Sequence, residues 1–314
     1  MEMIRGLEAL KESYHNTVLT IGNFDCVHLG HQKILSTVLR RAKEIKGTPM
    51  AITFDPHPMI VIAPERKIKI LTTLEEKAKL MKEMGIKVFL CIKFTKEFSN
   101  MLPDDFIRDV LVEKINAKEI IVGTNYAFGK NKKGTVELLR KRGKKYGFTV
   151  KVIRNAKLHG DVVSSSKIRE LLVKGAVFKA STFLGRAYSI EGIVIKGKGR
   201  GKRLLNVPTA NITAPVEIAP KEGVYGVRVS YKDNIYEGVA NIGKNPTFGN
   251  SDVSYEVHLF NFSSNLLGKK IRIYFIDRIR NERLFPDALS LEKQIRTDIE
   301  CAKEILSRNY PKLI

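Results

Sequence analysis

Between residue 17 and about residue 180 the chain alternates short β-rich runs with stretches of helical period, and after about Gly185 the alternation stops. An alternating order of β and α implies a parallel sheet covered by helices on both faces. Thr17–Ile21, Met50–Phe54, Ile86–Ile92, Glu119–Val122 and Phe148–Ile153 read as its strands. Helices are expected over His31–Ile45, Leu74–Met84, 104–115, 135–146 and Ser166–Val173. The first repeats Ile34, Leu35, Val38, Leu39, Ala42 and Ile45 on one stripe, the 3.6-residue period of an amphipathic helix. Beyond the break the runs Tyr188–Ile195, Val224–Ser230, Ile235–Ile242, Tyr255–Phe260 and Ile271–Ile276 are short, and frequent glycines separate them. Short strands with glycine-rich turns and no intervening helix imply an antiparallel barrel or sandwich. A closing helix over Asp287–Leu306 would lay Leu291, Ile295, Ile299, Ala302 and Leu306 on that sheet. The expected fold is a Rossmann-like α/β parallel-sheet domain, residues 1–184, followed by an antiparallel β-barrel domain with a C-terminal helix, residues 185–314.

The chain has 314 residues, enough for two cores. No apolar run approaches the ~18 residues that a bilayer span requires, and Val88–Ile92 is only strand-sized. Met1 to Ser13 carry charges throughout and lack the apolar stretch of a secretory signal, so the expected compartment is the cytoplasm. Cys26, Cys91 and Cys301 are scattered without metal-site spacing, which fits a reducing environment. The net charge of +22 admits a polyanion partner or a lysine-rich solvated surface. Lys141, Lys144 and Lys145 fall on an exposed helix face, and no aromatics interleave with the basic clusters as a single-strand platform requires. Neither a nucleic-acid nor a membrane partner is expected.

The first strand runs into Gly22-Asn23-Phe24-Asp25-Cys26-Val27-His28-Leu29-Gly30-His31, and a helix begins there. Two histidines flanking a glycine at a helix start suit phosphates. Free N–H groups and the helix dipole favour negative charge, and the glycine lets a ligand approach the backbone. Far downstream, Ser164-Ser165-Ser166-Lys167-Ile168-Arg169 opens another helix with hydroxyls, N–H groups and a guanidinium, a second candidate anion site whose serines would also serve as ordinary caps.

Together on an α/β sheet, these two motifs resemble the adenylyl-transfer superfamily related to class I aminoacyl-tRNA synthetases. Thr53-Phe54-Asp55-Pro56-His57-Pro58 and Val122-Gly123-Thr124-Asn125-Tyr126-Ala127-Phe128-Gly129 narrow the resemblance to the bacterial FMN adenylyltransferase module. The resemblance implies that His28 and His31 are catalytic. It also implies that Gly22, Phe24, Asp25, Gly30, His57, Asn125, Ser164, Ser165, Ser166 and Arg169 belong to the ATP and flavin site.

The second half carries Gly197-Lys198-Gly199-Arg200-Gly201-Lys202, then Pro208-Thr209-Ala210-Asn211, Gly223-Val224-Tyr225 and Asn241-Ile242-Gly243. Glu256-Val257-His258 and Arg280-Asn281-Glu282-Arg283 follow. In this order and spacing the set resembles the riboflavin kinase barrel. The resemblance implies that Thr209 and Asn211 offer oxygens to a magnesium ion on ATP, and that Gly197, Gly199, Gly201 and Lys202 wrap the phosphates. It further implies that Glu256 is the general base and that Arg280 lies in a loop closing on the flavin.

The two resemblances span roughly residues 15 to 308 and imply a bifunctional enzyme of FAD biosynthesis that takes ATP, riboflavin and FMN. That family usually has glycine where Cys26 and Asn206 stand. Two other readings remain at this stage: one activity lost and the other kept, or an RNA-binding or tRNA-modifying protein exploiting the +22 charge.

Overall fold

The computed structural model describes residues 1–10, 14–196, 209–214, 217–244 and 253–308. By packing, the chain divides into two compact units, Met1–Ser165 and Ser166–Ile314.

In the first unit β1 (Glu2–Arg5), β2 (Thr17–Ile21), β3 (Pro49–Asp55), β4 (Val88–Lys93), β5 (Ala117–Gly123) and β6 (Thr149–Ile153) form one sheet in the order β1-β4-β3-β2-β5-β6. Every neighbouring pair is parallel. Successive residues of a strand point to opposite faces, and the core divides accordingly. Leu19, Ile52, Leu90 and Ile120 pack with Phe106, Ile107, Val110 and Leu139 on one face. Their neighbours Val18, Ala51, Phe89 and Ile121 pack with Leu35, Val38, Ala42 and Met81 on the other. Strands buried on both faces have no polar side to alternate with, which is why these runs are almost wholly apolar.

The connections are α1 (Leu29–Glu44), α2 (Pro58–Ile62), α3 (Leu74–Met84), α4 (Lys96–Ser99), α5 (Pro103–Asp105) and α6 (Val136–Tyr146). Thr73 caps α3 by accepting from the Glu76 N–H, and Gly85 ends it in the left-handed conformation, φ 95°. The helix expected over 104–115 is present, but Phe106–Lys114 is wound more widely, as the Ile115 N–H donates to Val110 O. β1 is an edge strand that the pattern does not disclose, because Ile4 is the only buried residue of its four. A small hairpin, β7 (Lys157–Leu158) and β8 (Asp161–Val162), precedes the second unit. The strand order reverses at β2, with β3 on one side and β5 on the other. Ligands of open α/β sheets bind outside the carboxyl ends of the strands at such a reversal.

In the second unit, β9 (Tyr188–Ile195), β10 (Ala210–Thr213), β11 (Gly223–Tyr231), β12 (Asn234–Lys244), β13 (Val253–Leu259) and β14 (Lys270–Arg280) close an antiparallel barrel, ordered β10-β13-β12-β11-β14-β9. Tyr225, Val227, Tyr255, Val257, Ile273 and Phe275 are buried, with Tyr225 and Phe275 edge to face at 5.6 Å. The last helix, following the helix pair described next, lies on the outside of this barrel over Val224, Val239, Tyr274 and Ile276.

The helices α7 (Ser165–Val173) and α8 (Val177–Leu184) precede β9, and the last helix, α9 (Ala288–Ser307), closes the unit. α8 packs on β14 and β9, burying Val177, Ala180, Phe183 and Leu184, and the Lys221 N–H donates to Leu172 O of α7 at 2.9 Å. A barrel fragment is therefore expected to be markedly more stable when it starts at Ser166 than when it starts at Gly185. Removing α8 uncovers several buried apolar side chains, each worth about 1.5–3 kcal/mol when fully buried. Urea unfolding of the two fragments checks this; equal midpoints would mean that the helix pair adds nothing to the barrel.

No helix among the described residues is long and apolar enough to cross a membrane.

Candidate active sites

The turn after β2 lies at the carboxyl edge of the sheet and is backbone-strained. Phe24, Cys26 and Val27 have φ of 47°, 64° and 40°, a region that disfavours residues with a Cβ and β-branched ones most. Such strain persists where the surroundings over-determine it, and here they do. The Asp25 carboxylate accepts from the Leu71 N–H, the Thr72 N–H and the Thr72 hydroxyl, each at 3.1 Å, while the Cys26 N–H donates to Thr72 Oγ1 at 2.9 Å. From 140 residues downstream, the Ser165 hydroxyl donates to Asp25 O at 3.0 Å. Two motifs distant in sequence meet in this turn.

His28 caps α1: the His31 N–H donates to its Nδ1 at 3.2 Å. That acceptor role puts the imidazole proton on Nε2. The two rings stack at 3.7 Å and 12°, and Phe24 meets His31 edge-on at 5.2 Å. Gly30 makes room for this arrangement, since a Cβ there would stand 3.1 Å from the His28 ring. His31 Nδ1 is enclosed with no hydrogen-bond partner. Burial first, and then the charges of His28 and Lys77, hold the His31 imidazole well below the usual histidine range. The pair offers ring N–H donors at the N-terminus of a sixteen-residue helix, which is a setting for anions.

Phe24 and Asp25 are 1% and 2% exposed, so they hold the turn from beneath. A Cβ on Gly22 would stand 3.2 Å from the Phe24 ring. His57 caps α2 by accepting from the Met59 N–H, and its Nε2 lies 3.0 Å from the Asn23 amide. Asn125 is exposed in the loop after β5, on the same edge of the sheet as the histidines. Ser164 precedes α7, and Ser166 and Arg169 lie on it in the part of the chain that packs with the second unit.

On the barrel, register does the assembling. β13 alternates buried Tyr255, Val257 and Leu259 with half-buried Ser254, Glu256 and His258, so Glu256 stands on the outer face. It is paired directly with Asn211 of β10 on one side and Asn241 of β12 on the other. Such cross-strand neighbours bring their Cβ atoms to about 4.5–5.5 Å. The row continues through Val224 to Arg280. Thr209 lies exposed just before β10. These are oxygen donors, the kind that a hard cation takes. Among the described residues no cluster of three or more His, Cys, Asp or Glu forms a softer site.

Arg280 departs from expectation. It ends β14 instead of lying in a loop, because pairing with β11 extends to Val224. Its guanidinium is bonded to the Asp298 carboxylate of α9 at 2.7–3.0 Å and to Asn281 O. Asp298 is 3% exposed and also accepts from Gln294. Gly197, Gly199, Gly201, Lys202 and Asn206 lie outside the described residues. Thr72, Lys77 and Asp298 are additions that the motifs do not name.

A family model for FAD synthetase matches residues 10–167 and one for riboflavin kinase matches residues 184–306. The bifunctional riboflavin kinase/FMN adenylyltransferase of Buchnera aphidicola (Schizaphis graminum strain) is 38% identical over 97% of this chain and 98% of its own. Its Escherichia coli K12 counterpart is 33% identical over 99% and 100%. The chain belongs to the bifunctional riboflavin kinase/FMN adenylyltransferase family. A solved structure from Streptococcus pneumoniae, described as a macrolide-efflux protein, aligns with a TM-score of 0.88 at 26% identity, covering 96% of this chain and 99% of its own. Within the family build, the parallel-sheet unit carries the FAD synthetase match and the barrel carries the riboflavin kinase match.

Proposed function

We propose that the barrel unit phosphorylates riboflavin to FMN and that the parallel-sheet unit adenylylates FMN to FAD, both with ATP as donor, in the cytoplasm. What supports this reading is that each half gathers its own catalytic groups. His28, His31 and Ser165 converge on one strained turn, and Glu256 stands in register between Asn211 and Asn241.

In the adenylylating unit, the α1 N-terminus and the His28 Nε2–H would hold the α-phosphate oxygens as charge builds on them. An FMN phosphate oxygen attacks the α-phosphorus, the bond to the β-phosphate oxygen breaks, and pyrophosphate leaves. Asn125 and Ser164 would line the nucleotide and flavin. In the barrel, Glu256 accepts the proton of the ribityl 5′-hydroxyl as that oxygen attacks the γ-phosphorus. Thr209 and Asn211 would hold a magnesium ion, which when bound to ATP screens the phosphate charge.

Incubating the full chain with riboflavin, ATP and magnesium and separating the flavins tests the reading. Riboflavin should be consumed, FMN should rise first and FAD should follow. FMN without FAD would remove the adenylyl transfer, and unchanged riboflavin would remove the kinase.

A second reading, with the adenylylating head inactive, is raised by Cys26, where the family usually has glycine. The backbone explains that glycine: Cys26 sits at φ 64°, ψ 1°, its side chain turned inward and 1% exposed. A residue with a Cβ there costs roughly 1–2 kcal/mol, a strain that the Asp25–Thr72 bonds can hold. Cys26→Gly removes only a small buried side chain, whose Sγ lies 3.9 Å from Ser165 Oγ, and is expected to change FAD synthesis less than tenfold. Assay of parent and variant side by side under reducing conditions checks this. A silent parent rescued by glycine would establish the inactive head.

A further inference from the structure

The helix that packs against the Asp25–Val27 turn carries a charge to which neither proposed reaction assigns a task. Lys77 is 4% exposed, although it is a lysine, and it occupies an apolar-stripe position of α3 beside Ala78 and Met81. α3 packs against the Asp25–Val27 turn. Among the described residues the Lys77 ammonium makes neither a hydrogen bond nor an ion pair. Its surroundings are nevertheless charged. Asp25 of the turn and Asp55 at the end of β3 act on it, as do the thiols Cys26 and Cys91, and its own charge acts on His31. Burial pushes the Cys91 thiol up to about 11, so that group is uncharged near neutrality.

The turn needs Asp25, because its carboxylate ties down residues 71 and 72. A bare carboxylate in that place would oppose a polyphosphate arriving above it, with little water to screen the repulsion. A lysine stem can lie along apolar packing and deliver a compact charge at its tip. The same charge also disfavours a proton on His31, whose ring already stacks on His28.

We propose that Lys77 is a positioning residue of the adenylyl-transfer site: from the buried face of α3 its ammonium balances the Asp25 carboxylate of the phosphate-binding turn. The proposal rests on the assignment of the histidine turn to ATP. The charged groups acting on His31 are His28, stacked on it, and Lys77 of α3.

The test uses the full chain with Lys77→Met, Lys77→Arg, Asp25→Asn, and Lys77→Met combined with Asp25→Asn. Two quantities are read: the kinetics of FAD synthesis from supplied FMN, and the NMR titration of the His31 imidazole. Lys77→Met should raise KM for ATP about tenfold or more, with a smaller change in kcat, since one neighbouring charge commonly moves a site's preference for charge by that much. It should also move the His31 titration to higher pH, because a positive neighbour has gone. Lys77→Arg should hold both near parental values. Adding Asp25→Asn should cost less than the product of the two single losses, as coupled charges require. Should Lys77→Met fail to fold, Lys77→Gln carries the same expectations. A parental KM, an unmoved His31 titration, or strictly multiplicative losses would each overturn the proposal. Failure of the underlying assignment is separable, because His31→Ala would then leave FAD synthesis intact.

Discussion

Replacing Glu256 with Gln is expected to abolish riboflavin phosphorylation while FAD synthesis from supplied FMN continues at the parental rate. The carboxamide matches the carboxylate in shape, so β13 keeps its pairing with Asn211 and Asn241, and the outer face of the barrel is undisturbed. Only the ability to take a proton is lost. A general base in the transition state contributes about 10²–10⁴ in rate, which corresponds to roughly 3–5 kcal/mol of barrier. The measurement is the initial rate of FMN formation, with adenylylation of supplied FMN as the internal control. A variant that phosphorylates riboflavin at the parental rate would remove Glu256 from the role of base. Loss of both activities together would mean that the substitution had damaged more than one site.

How far the sequence discloses this site depends on the distance over which each signal acts. Both sheets are legible because their strands repeat a local pattern: Val18 and Leu19 go to opposite faces of the sheet, and both faces are apolar. The histidine turn is legible because its chemistry is contiguous, from Gly22 to His31. The closing of Ser165 on Asp25 crosses 140 residues, and only a resemblance to a known family suggests it beforehand. The row that joins Asn211, Glu256, Asn241 and Arg280 is a product of barrel register, which no single strand encodes.

Two residues left a trace that the stripe argument passes over. Lys77 stands among Leu74, Ala78 and Met81, and Asp298 among Leu291, Ile295 and Ala302. Each is a charge at a position where the helical period demands an apolar side chain, and both are among the few buried charged groups of the described residues. Burying a charge is unfavourable unless the surroundings compensate it. A charged residue in an apolar stripe therefore announces a partner elsewhere in the fold. For Asp298 that partner is Arg280, which explains why Arg280 belongs to the strand and not to a closing loop.

Replacing His28 or His31 with Ala should lower FAD formation by about 10²–10³ and leave FMN formation nearly unchanged, the scale seen when one preorganised donor to a developing oxyanion is removed. The two losses should differ in kind. His28 caps α1 through its Nδ1, so it has a structural role besides the proposed donor role of Nε2. Its removal should therefore also cost helix stability of about 0.5–2 kcal/mol, as loss of a capping side chain does. His31 caps nothing, and its ring is held by His28 and Phe24. Its removal leaves a space beside Phe24 and takes away one donor. His28→Asn offers a way to tell the contributions apart. Asparagine is among the best N-caps, so this variant should regain the stability of α1 but not the rate. Thermal unfolding of the parallel-sheet unit and initial rates of FAD and FMN formation, measured on His28→Ala, His28→Asn and His31→Ala, decide the matter. If His28→Asn restored the rate together with the stability, His28 would be a structural cap alone. If either alanine variant depressed FMN formation as strongly as FAD formation, the two activities would not be housed in separate units.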